Sequence, residues 1–480
     1  MKNILLIILI VTTGTLNAQR GIAYFKKPEP DFGFRKIAKA QMEEDVRFWH
    51  TVMEESHVNL YHAISKEALL NMEKELLANV KDSITQTDAV LLIGKLAAAL
   101  DEGHIGLPSS SITDSLYINS LRFPFLLQKV QDDRWIVDRD VSSEQQLGVN
   151  AAILEINGVQ VSELNRIYRN YFGGLDTWRR QQIMTNVRKL LFLHGIESPF
   201  TIKAITAEGK PVSFQATGYS RKQADSLNKV LAAISKPAAA YSFTMLPDNI
   251  AYIHYRQMVN DKSNPFPAFL EKTFAAIREK NAAGLVIDLR DNGGGDSSFG
   301  DSLIQYFSSK PYRFSGGMKW KISRHYKTFL KQQTSNSNDD ADNRFYNSMK
   351  DGEMYTYISR DLRKPKDTDL RFNGKTALLV GPDTFSSANM MADGISSYKL
   401  ATIFGEPTGE SGNDFGEMFN FMLPNSYIIA RCSTKMFTRA DGNENNFDPV
   451  LPDVTVKPSA ADLREKKDVV LEAAVKWIRQ

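Results

Sequence analysis

The sequence has little cysteine, little excess charge and few long apolar stretches, and each shortage excludes a class of protein. Cys432 is the only cysteine among 480 residues. An intramolecular disulfide framework and a cysteine-rich zinc site are therefore both excluded. The 59 Lys and Arg residues nearly balance the 56 Asp and Glu residues, which leaves a net charge of +3. Such a balance argues against nucleic acid as the main partner.

The one long apolar run lies at the N-terminus. Lys2 precedes an unbroken apolar stretch at residues 4–11, and Ala18 offers a small residue before a cleavage point at Gln19. The stretch is too short to span a bilayer comfortably, and a polar chain follows it. We therefore predict a secretory signal peptide at residues 1–18. The mature protein is expected to be periplasmic or extracellular, without a stable membrane span.

The remaining chain changes character along its length, which predicts three regions. Residues 19–118 show mostly helical spacing of apolar residues and form a predicted N-terminal helical region that ends in a turn at His104. Residues 119–220 contain short strands and an Asn157-Gly158 hairpin signal, which predicts a small β-rich module. Residues 240–480 alternate strands and helices, as in an α/β sheet with βαβ crossovers. A polar insertion at 308–372 interrupts this last region, and its centre at 334–343 has a loop-like composition.

A glycine loop follows a buried strand in the α/β region. Asp288-Leu289-Arg290-Asp291-Asn292 leads directly into Gly293-Gly294-Gly295. Glycines allow backbone N–H groups to approach a ligand closely and to point together, which suits an oxyanion or a phosphate. A phosphate loop would need a Gly-Lys-Ser/Thr sequence, and no lysine is present here. A simple tight turn between strand and helix explains the glycines equally well.

A second strand of the same region leads into small polar residues that open a helix. The segment runs Val380-Gly381-Pro382-Asp383-Thr384-Phe385-Ser386-Ser387. A serine at this position lies near the positive end of the helix, and the N–H of the next residue is available, as an acyl-transfer nucleophile requires. Ordinary N-capping by Thr384 or Ser386 is the competing interpretation.

A histidine follows an acidic turn at the end of the N-terminal helical region. The turn reads Asp101-Glu102-Gly103-His104. Histidine is the usual general base for a serine nucleophile, although a single histidine is more often structural.

Together and in this order, these three motifs resemble the tail-specific, or C-terminal-processing, serine peptidase family, on the branch related to the tricorn core protease. The string Phe404-Gly405-Glu406-Pro407-Thr408-Gly409 adds to the resemblance, which covers most of the mature chain. It implies an α/β fold with a crotonase-like or ClpP-like protease core. It also implies that the β-rich module at 119–220 is PDZ-like, with its core hairpin at 147–161.

The resemblance carries catalytic roles onto individual residues. The family places its nucleophile three residues before an acidic helix residue, and Asn389 stands at that acidic position, so Ser386 is the predicted nucleophile and Ser387 the alternative. The backbone N–H of Ser387 is expected to donate to the oxyanion, together with that of Gly294 or its neighbour.

The predicted base and its partner follow the Ser-His branch of the family. The Ser-Lys branch has a lysine shortly after the Gly-Glu-x-Thr-Gly string, where this chain has only residues 410–413, without lysine. His104 fits the base of the tricorn-like branch, and Gly103 stands where that branch has a helper serine. Glu444 is the predicted carboxylate that orients the imidazole, with Asp448 as its competitor.

The resemblance predicts an exported serine endopeptidase that acts on peptides or proteins and needs no metal or organic cofactor. Two other functions remain open at this point. Asn389, Gly103 and the weak PDZ-like match are compatible with a catalytically inactive peptide-binding protein. An esterase on the same scaffold is the other alternative, although the chain lacks a Gly-x-Ser-x-Gly elbow.

Overall fold

The structure, a computed structural model, describes residues 21–29, 31–128, 133–234, 238–332, 341–465 and 467–480. The predicted signal peptide at 1–18 lies outside the described residues. The helices are α1 (Lys39–Ser56), α2 (Lys66–Ala78), α3 (Gln86–Ala98), α4 (Ser111–Asn119), α5 (Val161–Tyr168), α6 (Asp176–Leu193), α7 (Arg221–Ile234), α8 (Phe266–Glu279), α9 (Ser297–Ile304), α10 (Arg324–Gln332), α11 (Ala341–Ser348), α12 (Ser387–Tyr398), α13 (Ala460–Glu465) and α14 (Val469–Arg479).

The strands form three larger sheets and a two-stranded pair. The strands are β1 (Ile22–Ala23), β2 (Ile37–Ala38), β3 (Ser83–Ile84), β4 (Phe125–Leu127), β5 (Trp135–Asp140), β6 (Ala152–Ile156), β7 (Val159–Gln160), β8 (Phe200–Ile205), β9 (Pro211–Ala216), β10 (Tyr241–Leu246), β11 (Ile250–Tyr255), β12 (Gly284–Asp288), β13 (Gly317–Lys321), β14 (Met354–Ile358), β15 (Lys375–Val380), β16 (Thr402–Gly405), β17 (Asp414–Met422), β18 (Ile429–Thr438) and β19 (Val454–Thr455). The sheet orders are β1-β17-β18-β13-β14, β10-β11-β12-β15-β16-β19 and β4-β5-β6-β8-β9, with β7 paired to β6.

The chain divides into two compact units. The described residues of the first unit lie within Met1–Pro237, Trp320–Tyr355 and Glu417–Lys435. Those of the second unit lie within Ala238–Lys319, Thr356–Gly416 and Met436–Gln480. Two segments of the predicted 240–480 core therefore group with the N-terminal part of the chain.

The first unit combines capped helices with an antiparallel sheet. Ser65 and Thr85 cap α2 and α3 by accepting backbone hydrogen bonds from Ala68 and Asp88. The predicted Asn-Gly hairpin is confirmed, since β6 and β7 pair antiparallel around Asn157 and Gly158, which have φ values of 49° and 82°. The PDZ-like character of this sheet remains a prediction.

The second unit is built on a mostly parallel sheet that is buried on both faces. Strands β11, β12, β15, β16 and β19 pair in parallel, and β10 pairs antiparallel at one edge. Leu285 and Ile287 of β12 belong to one hydrophobic cluster, whereas Val286 between them belongs to another. Because both faces are covered, these strands need continuous apolar runs, as the sequence shows. The predicted α/β class, with helices and β-rich sheets, is confirmed.

The polar insertion at 308–372 contains regular structure. Helices α10 and α11 and strands β13 and β14 all lie within it. Residues 333–340 lie outside the described residues, and 341–343 begin α11 instead of continuing a loop. Within the described part of the chain, no helix has both the length and the apolarity that crossing a membrane requires.

Asp288 and Arg290 of the glycine-loop motif have structural contacts in the second unit. The Arg290 guanidinium donates to Asp288 at the end of β12 and to Asp468, which caps α14, at 2.7–3.0 Å. Tyr252 also donates to Asp288, at 2.7 Å. Burial alone would raise the pKa of Asp288, but the charge and hydrogen bonds of Arg290 hold it below its usual range. Arg290 thus ties the strand end to the N-terminus of α14.

Replacing Arg290→Met is expected to lower the free energy of unfolding at pH 7 by about 3–5 kcal/mol, because Asp288 would stay buried without its cationic partner. Since the folded-state pKa of Asp288 is lowered, its stabilising contribution is complete above its unfolded pKa of about 3.9 and is lost as the pH falls further. The difference between wild type and variant should therefore shrink in acid. Denaturant unfolding at pH 7 and at acidic pH measures both values.

Arg166→Met is the matched control, because the ion pair of Arg166 with Glu163 is exposed and should contribute little. An Arg290→Met protein that is as stable as the Arg166→Met protein at pH 7 would contradict this account of Arg290.

Candidate active site

The candidate site of the second unit lies at the carboxyl ends of two adjacent parallel strands. Strands β12 and β15 pair in register, with Asp288 opposite Leu379. The glycine loop follows β12, and the serine turn follows β15. In open α/β sheets, ligand sites lie at the carboxyl ends of the strands, so this topology brings the two predicted motifs together.

The serine turn holds Ser386 in a strained backbone conformation. Ser386 precedes α12 with φ 54° and ψ −130°, which is outside the regions that L-residues favour. Such a conformation costs on the order of 1–3 kcal/mol and persists only where the surroundings enforce it. The side chain of Ser386 makes no capping hydrogen bond to α12, so the competing N-cap interpretation does not account for its hydroxyl.

Neighbouring residues fix this turn to the end of β12. The Phe385 N–H donates to the Asn292 carbonyl at 3.0 Å. The Thr384 hydroxyl donates to the Leu289 carbonyl at 2.9 Å and accepts the Gly381 N–H at 3.1 Å. Thr384 is therefore a structural residue of the turn, and the turn cannot shift without breaking bonds to the glycine-loop strand.

Gly294 packs directly against the serine. A Cβ atom at Gly294 would lie 2.8 Å from the Ser386 Cβ and 3.0 Å from the Ser387 nitrogen. Its φ of 98° is also a conformation that other residues rarely adopt. Only glycine allows the loop to approach the serine turn this closely.

The backbone donors of the site differ in part from the prediction. The Gly294 N–H donates to Asn292 Oδ1 at 2.9 Å, so this predicted oxyanion donor already has an acceptor. Among the described residues, neither the Gly295 N–H nor the Ser387 N–H has an acceptor. The neighbour of Gly294 is thus the better candidate for the second donor, and Asn292 instead fixes the loop, since its Nδ2 donates to the Tyr255 carbonyl at 2.8 Å.

The two adjacent serines have different environments. The Ser387 hydroxyl donates to the Gly295 carbonyl at 2.6 Å, and this side chain is buried. Its proton therefore stabilises the contact between α12 and the glycine loop. Ser386 is half-buried at the start of the helix. This difference favours Ser386 over Ser387 as the nucleophile.

The loop after β16 adds a carboxylate that the sequence reasoning missed. Glu410 is only 6% exposed and accepts the Ser386 backbone N–H at 2.5 Å through Oε2. Asn389, which stands at the acidic position of the family, donates from Nδ2 to the Ser411 carbonyl at 2.7 Å. Asn389 therefore holds the loop that carries Glu410. The contact spans 24 residues, and no local pattern signals it.

The turn that carries His104 belongs to the first unit and is anchored by the segment before α6. The Gly174 N–H donates to Asp101 Oδ1 at 3.0 Å, and Trp178 Nε1 donates to the Gly103 carbonyl at 3.1 Å. A Cβ atom at Gly173 would lie 2.4 Å from the Glu102 nitrogen. These contacts fix the backbone just before the histidine, which is itself 8% exposed.

Glu102 in the same turn belongs to a buried hydrogen-bonded network. His57 Nε2 lies 2.7 Å from Glu102 Oε2, and the Asn59 N–H lies 3.0 Å from His57 Nδ1. The Ser433 hydroxyl donates to Glu102 Oε1. Burial alone would raise the pKa of Glu102, but attraction by His57 and hydrogen bonds from His57 and Ser433 hold it below its usual range. This network supports the His104 turn and was not predicted.

The two predicted orienting carboxylates lie on the surface of the second unit. Glu444 is exposed and forms an ion pair with Lys319 Nζ at 2.6 Å. Asp448 is also exposed. The structure therefore brings Ser386, Ser387 and Gly294 together in one unit, whereas the pairing of Ser386, His104 and Glu444 remains a prediction.

A cleft of about 510 Å³ adjoins the glycine loop. It is lined by Gly293–Gly295, Ala238–Ala240, Arg256 and Gln257. Among the described residues, no group of three or more His, Cys, Asp or Glu side chains is arranged to hold a metal ion.

An α/β core whose glycine loop packs on a strained serine at the ends of two parallel strands is that of a serine-type hydrolase. Comparison with known proteins makes the class specific, since residues 249–456 match the model of peptidase family S41. The match of this segment supports peptidase family S41 and a serine-type peptidase. The predicted tail-specific serine peptidase family is thereby confirmed.

Solved structures support the same fold over nearly the whole chain. A mutant of CPAF, mature CPAF complexed with lactacystin, and mature CPAF have TM-scores of 0.67, 0.65 and 0.62 at 14%, 15% and 14% identity. Each alignment covers 92% of this chain, and 98%, 98% and 96% of the respective structure. At such identities the likeness establishes the fold alone. A search of curated proteins found no matching relative.

Replacing Gly294→Ala is expected to slow reaction of the serine with a fluorophosphonate probe by roughly 100-fold, because the new methyl group would displace the serine turn. The labelling rate of the folded protein measures this effect.

Gly381→Ala is the control, since a Cβ atom there would lie 3.8 Å from Arg290 Cγ, an ordinary contact. It should label nearly as fast as the wild type. Equal rates for the two variants would show that the close approach of Gly294 has no influence on the serine.

Proposed function

We propose that this protein is an exported serine endopeptidase in which Ser386 is the nucleophile and His104 the general base. Glu444 is the proposed orienting carboxylate. The Ser387 N–H and the Gly295 N–H are the proposed oxyanion donors. The observation that carries the proposal is the strained backbone of Ser386 at the N-terminus of α12, against a glycine loop with an available amide.

The proposed reaction follows from these positions. His104 removes the Ser386 hydroxyl proton as the oxygen attacks the peptide carbonyl. The two backbone amides then stabilise the negative charge on the tetrahedral intermediate. The protonated imidazole gives its proton to the leaving amine, and a water molecule hydrolyses the acyl-enzyme by the same steps.

Two features of the chain support histidine as the base. Residues 410–413 contain no lysine, so the Ser-Lys alternative has no candidate at that position. The His104 turn is fixed by Gly173, Gly174 and Trp178, as a positioned base requires. His104 lies outside the matched family segment at 249–456, whereas the likeness to CPAF extends over 92% of the chain.

Three carboxylates compete for the role of orienting His104. Glu444 and Asp448 follow from the family resemblance, and both are exposed in the second unit. Glu102 lies two residues before His104 in a buried network and interacts electrostatically with it. The proposal retains Glu444 as the orienting residue and assigns Glu102 to the support of the turn.

Labelling with a fluorophosphonate probe tests the serine and the base. Purified residues 19–480 should label in the wild type, whereas Ser386→Ala and His104→Ala should not, because each removes one half of the activated pair. Ser387→Ala should still label, because its hydroxyl serves a structural contact. Peptide hydrolysis measured on the same proteins should follow the labelling.

Other outcomes of this experiment would change the assignment. Label that persists in Ser386→Ala but vanishes in Ser387→Ala would move the nucleophile by one residue. A folded wild-type protein that binds peptides without labelling or cleaving them would contradict the proposed mechanism. Glu444→Gln should reduce kcat more than it raises KM. If Asp448→Asn reduces kcat in this way and Glu444→Gln does not, the orienting role belongs to Asp448 instead.

Export is a separate part of the proposal, and it rests on the N-terminal sequence. A bacterial host that expresses the full chain should release a form that begins at Gln19, because the run at 4–11 has the length and apolarity of a signal peptide. Ile7→Asp should block this processing, whereas Ile7→Leu should not. N-terminal sequencing of the exported protein decides, and a cytoplasmic form that retains Met1 would contradict export.

A further inference from the structure

We propose that Glu410 is a positioning residue that holds the backbone of Ser386 in the conformation that its role as a nucleophile requires. This inference rests on the proposed function. Glu410 Oε2 accepts the Ser386 N–H at 2.5 Å, and its side chain is only 6% exposed. The hydrogen bond is made to the N–H of the strained residue itself.

The loop that carries Glu410 is fixed on several sides within the second unit. The Gly409 N–H donates to the Thr384 carbonyl at 3.0 Å, so the loop is bonded to the serine turn just before Glu410. Thr408 and Val450 exchange hydrogen bonds through the Thr408 N–H and hydroxyl, at 3.1 and 3.0 Å. Asn389 on α12 binds the Ser411 carbonyl just after Glu410. Glu410 therefore presents its carboxyl group from a defined backbone.

The hydrogen bond from the Ser386 N–H to Glu410 offsets the cost of the strained backbone at Ser386. The φ of 54° at Ser386 is unfavourable for a residue with a side chain, so the turn relaxes unless outside contacts hold it. An N–H removed from water without an acceptor would add a further cost. A carboxylate near the first turn of a 12-residue helix is also favoured by the helix dipole. The acceptor at Glu410 thus offsets the strain at the one residue whose orientation matters most.

For a positioning role, the length of the side chain at residue 410 matters more than its charge. The variant Glu410→Gln keeps the side-chain length and an acceptor oxygen. The variant Glu410→Asp keeps the charge but is shorter by one methylene group. An alanine removes both. Under a positioning role, Glu410→Gln should retain activity that Glu410→Asp and Glu410→Ala lose.

Steady-state kinetics of peptide hydrolysis on the mature chain provides the test. Glu410→Ala is expected to lower kcat by about 100-fold with little change in KM, Glu410→Asp by less, and Glu410→Gln least, since misplacing a nucleophile by about 1 Å has an effect of this size. If Glu410→Ala does not fold, the contrast between Gln and Asp still decides. If Glu410→Asp retains kcat and Glu410→Gln loses it, the charge of residue 410 is required, and the proposal is overturned. So would unchanged kcat in all three variants.

Asp393 supplies the matched control on the same helix. It is a buried carboxylate that accepts the Ala440 N–H at 2.6 Å and pairs with Arg439 at 2.8 Å, without contacting the serine turn. Asp393→Asn should lower the unfolding temperature but leave kcat close to the wild-type value. A similar loss of kcat in Asp393→Asn and Glu410→Ala would reduce the role of Glu410 to general stability, and would also overturn the proposal.

Hydrogen–deuterium exchange separates a failure of this inference from a failure of the proposed function. Amide exchange in a peptide covering residues 382–390 should be slow in the wild type and in Glu410→Gln, and faster in Glu410→Asp and Glu410→Ala. This readout needs no catalysis. An inactive, unlabelled wild type with this exchange pattern would refute the proposed function alone. Equal exchange in all four proteins, beside an active wild type, would refute the role of Glu410 alone.

Discussion

The absence of a side chain at Gly294 is the constraint on which the site depends. The Gly294 position and Ser386 come from loops that leave adjacent parallel strands, and there is no room for even a methyl group between them. Because the loops touch, two hydrogen bonds join them on either side of Ser386. The Ser387 hydroxyl donates to the Gly295 carbonyl, and the Phe385 N–H donates to the Asn292 carbonyl, so the strained backbone of Ser386 is held between them. The rigid central strands supply the fixed base that such a strained arrangement needs.

Each unit also contains a buried polar network that fixes the backbone next to a predicted catalytic motif. In the second unit, Arg290 joins Asp288 to Asp468 behind the glycine loop. In the first unit, Glu102 collects hydrogen bonds from His57 and Ser433 beside the His104 turn. Partly satisfied networks of buried charge are costly, whereas fully bonded ones rigidify their surroundings. The glycine-loop motif and the histidine turn therefore also contain residues whose role is structural.

Local sequence patterns were sufficient for the elements of the core but insufficient for the contacts of the site. Strands β12 and β15 and helix α12 follow from apolar runs and turn residues, and parallel pairing then places their ends side by side. The acceptor of the Gly294 amide could not be predicted, because it depends on the rotamer of Asn292. From the sequence, residue 410 indicates only that lysine is absent at this position. Its contact with Ser386 depends on how the loop folds, so the sequence does not predict it. Polar composition also misled the prediction for 341–343, which lie in α11.

The carboxyl group of Glu410 also bears on which base this family member can use. A lysine acts as a general base only when its amine is neutral, and a neighbouring carboxylate favours the charged ammonium form. A carboxylate that binds the nucleophile's own amide would therefore disable a lysine placed beside it. A histidine base becomes cationic only during the reaction, and then benefits from nearby negative charge. A buried glutamate in the loop after β16 therefore disfavours a lysine base at this position and is compatible with the proposed histidine base.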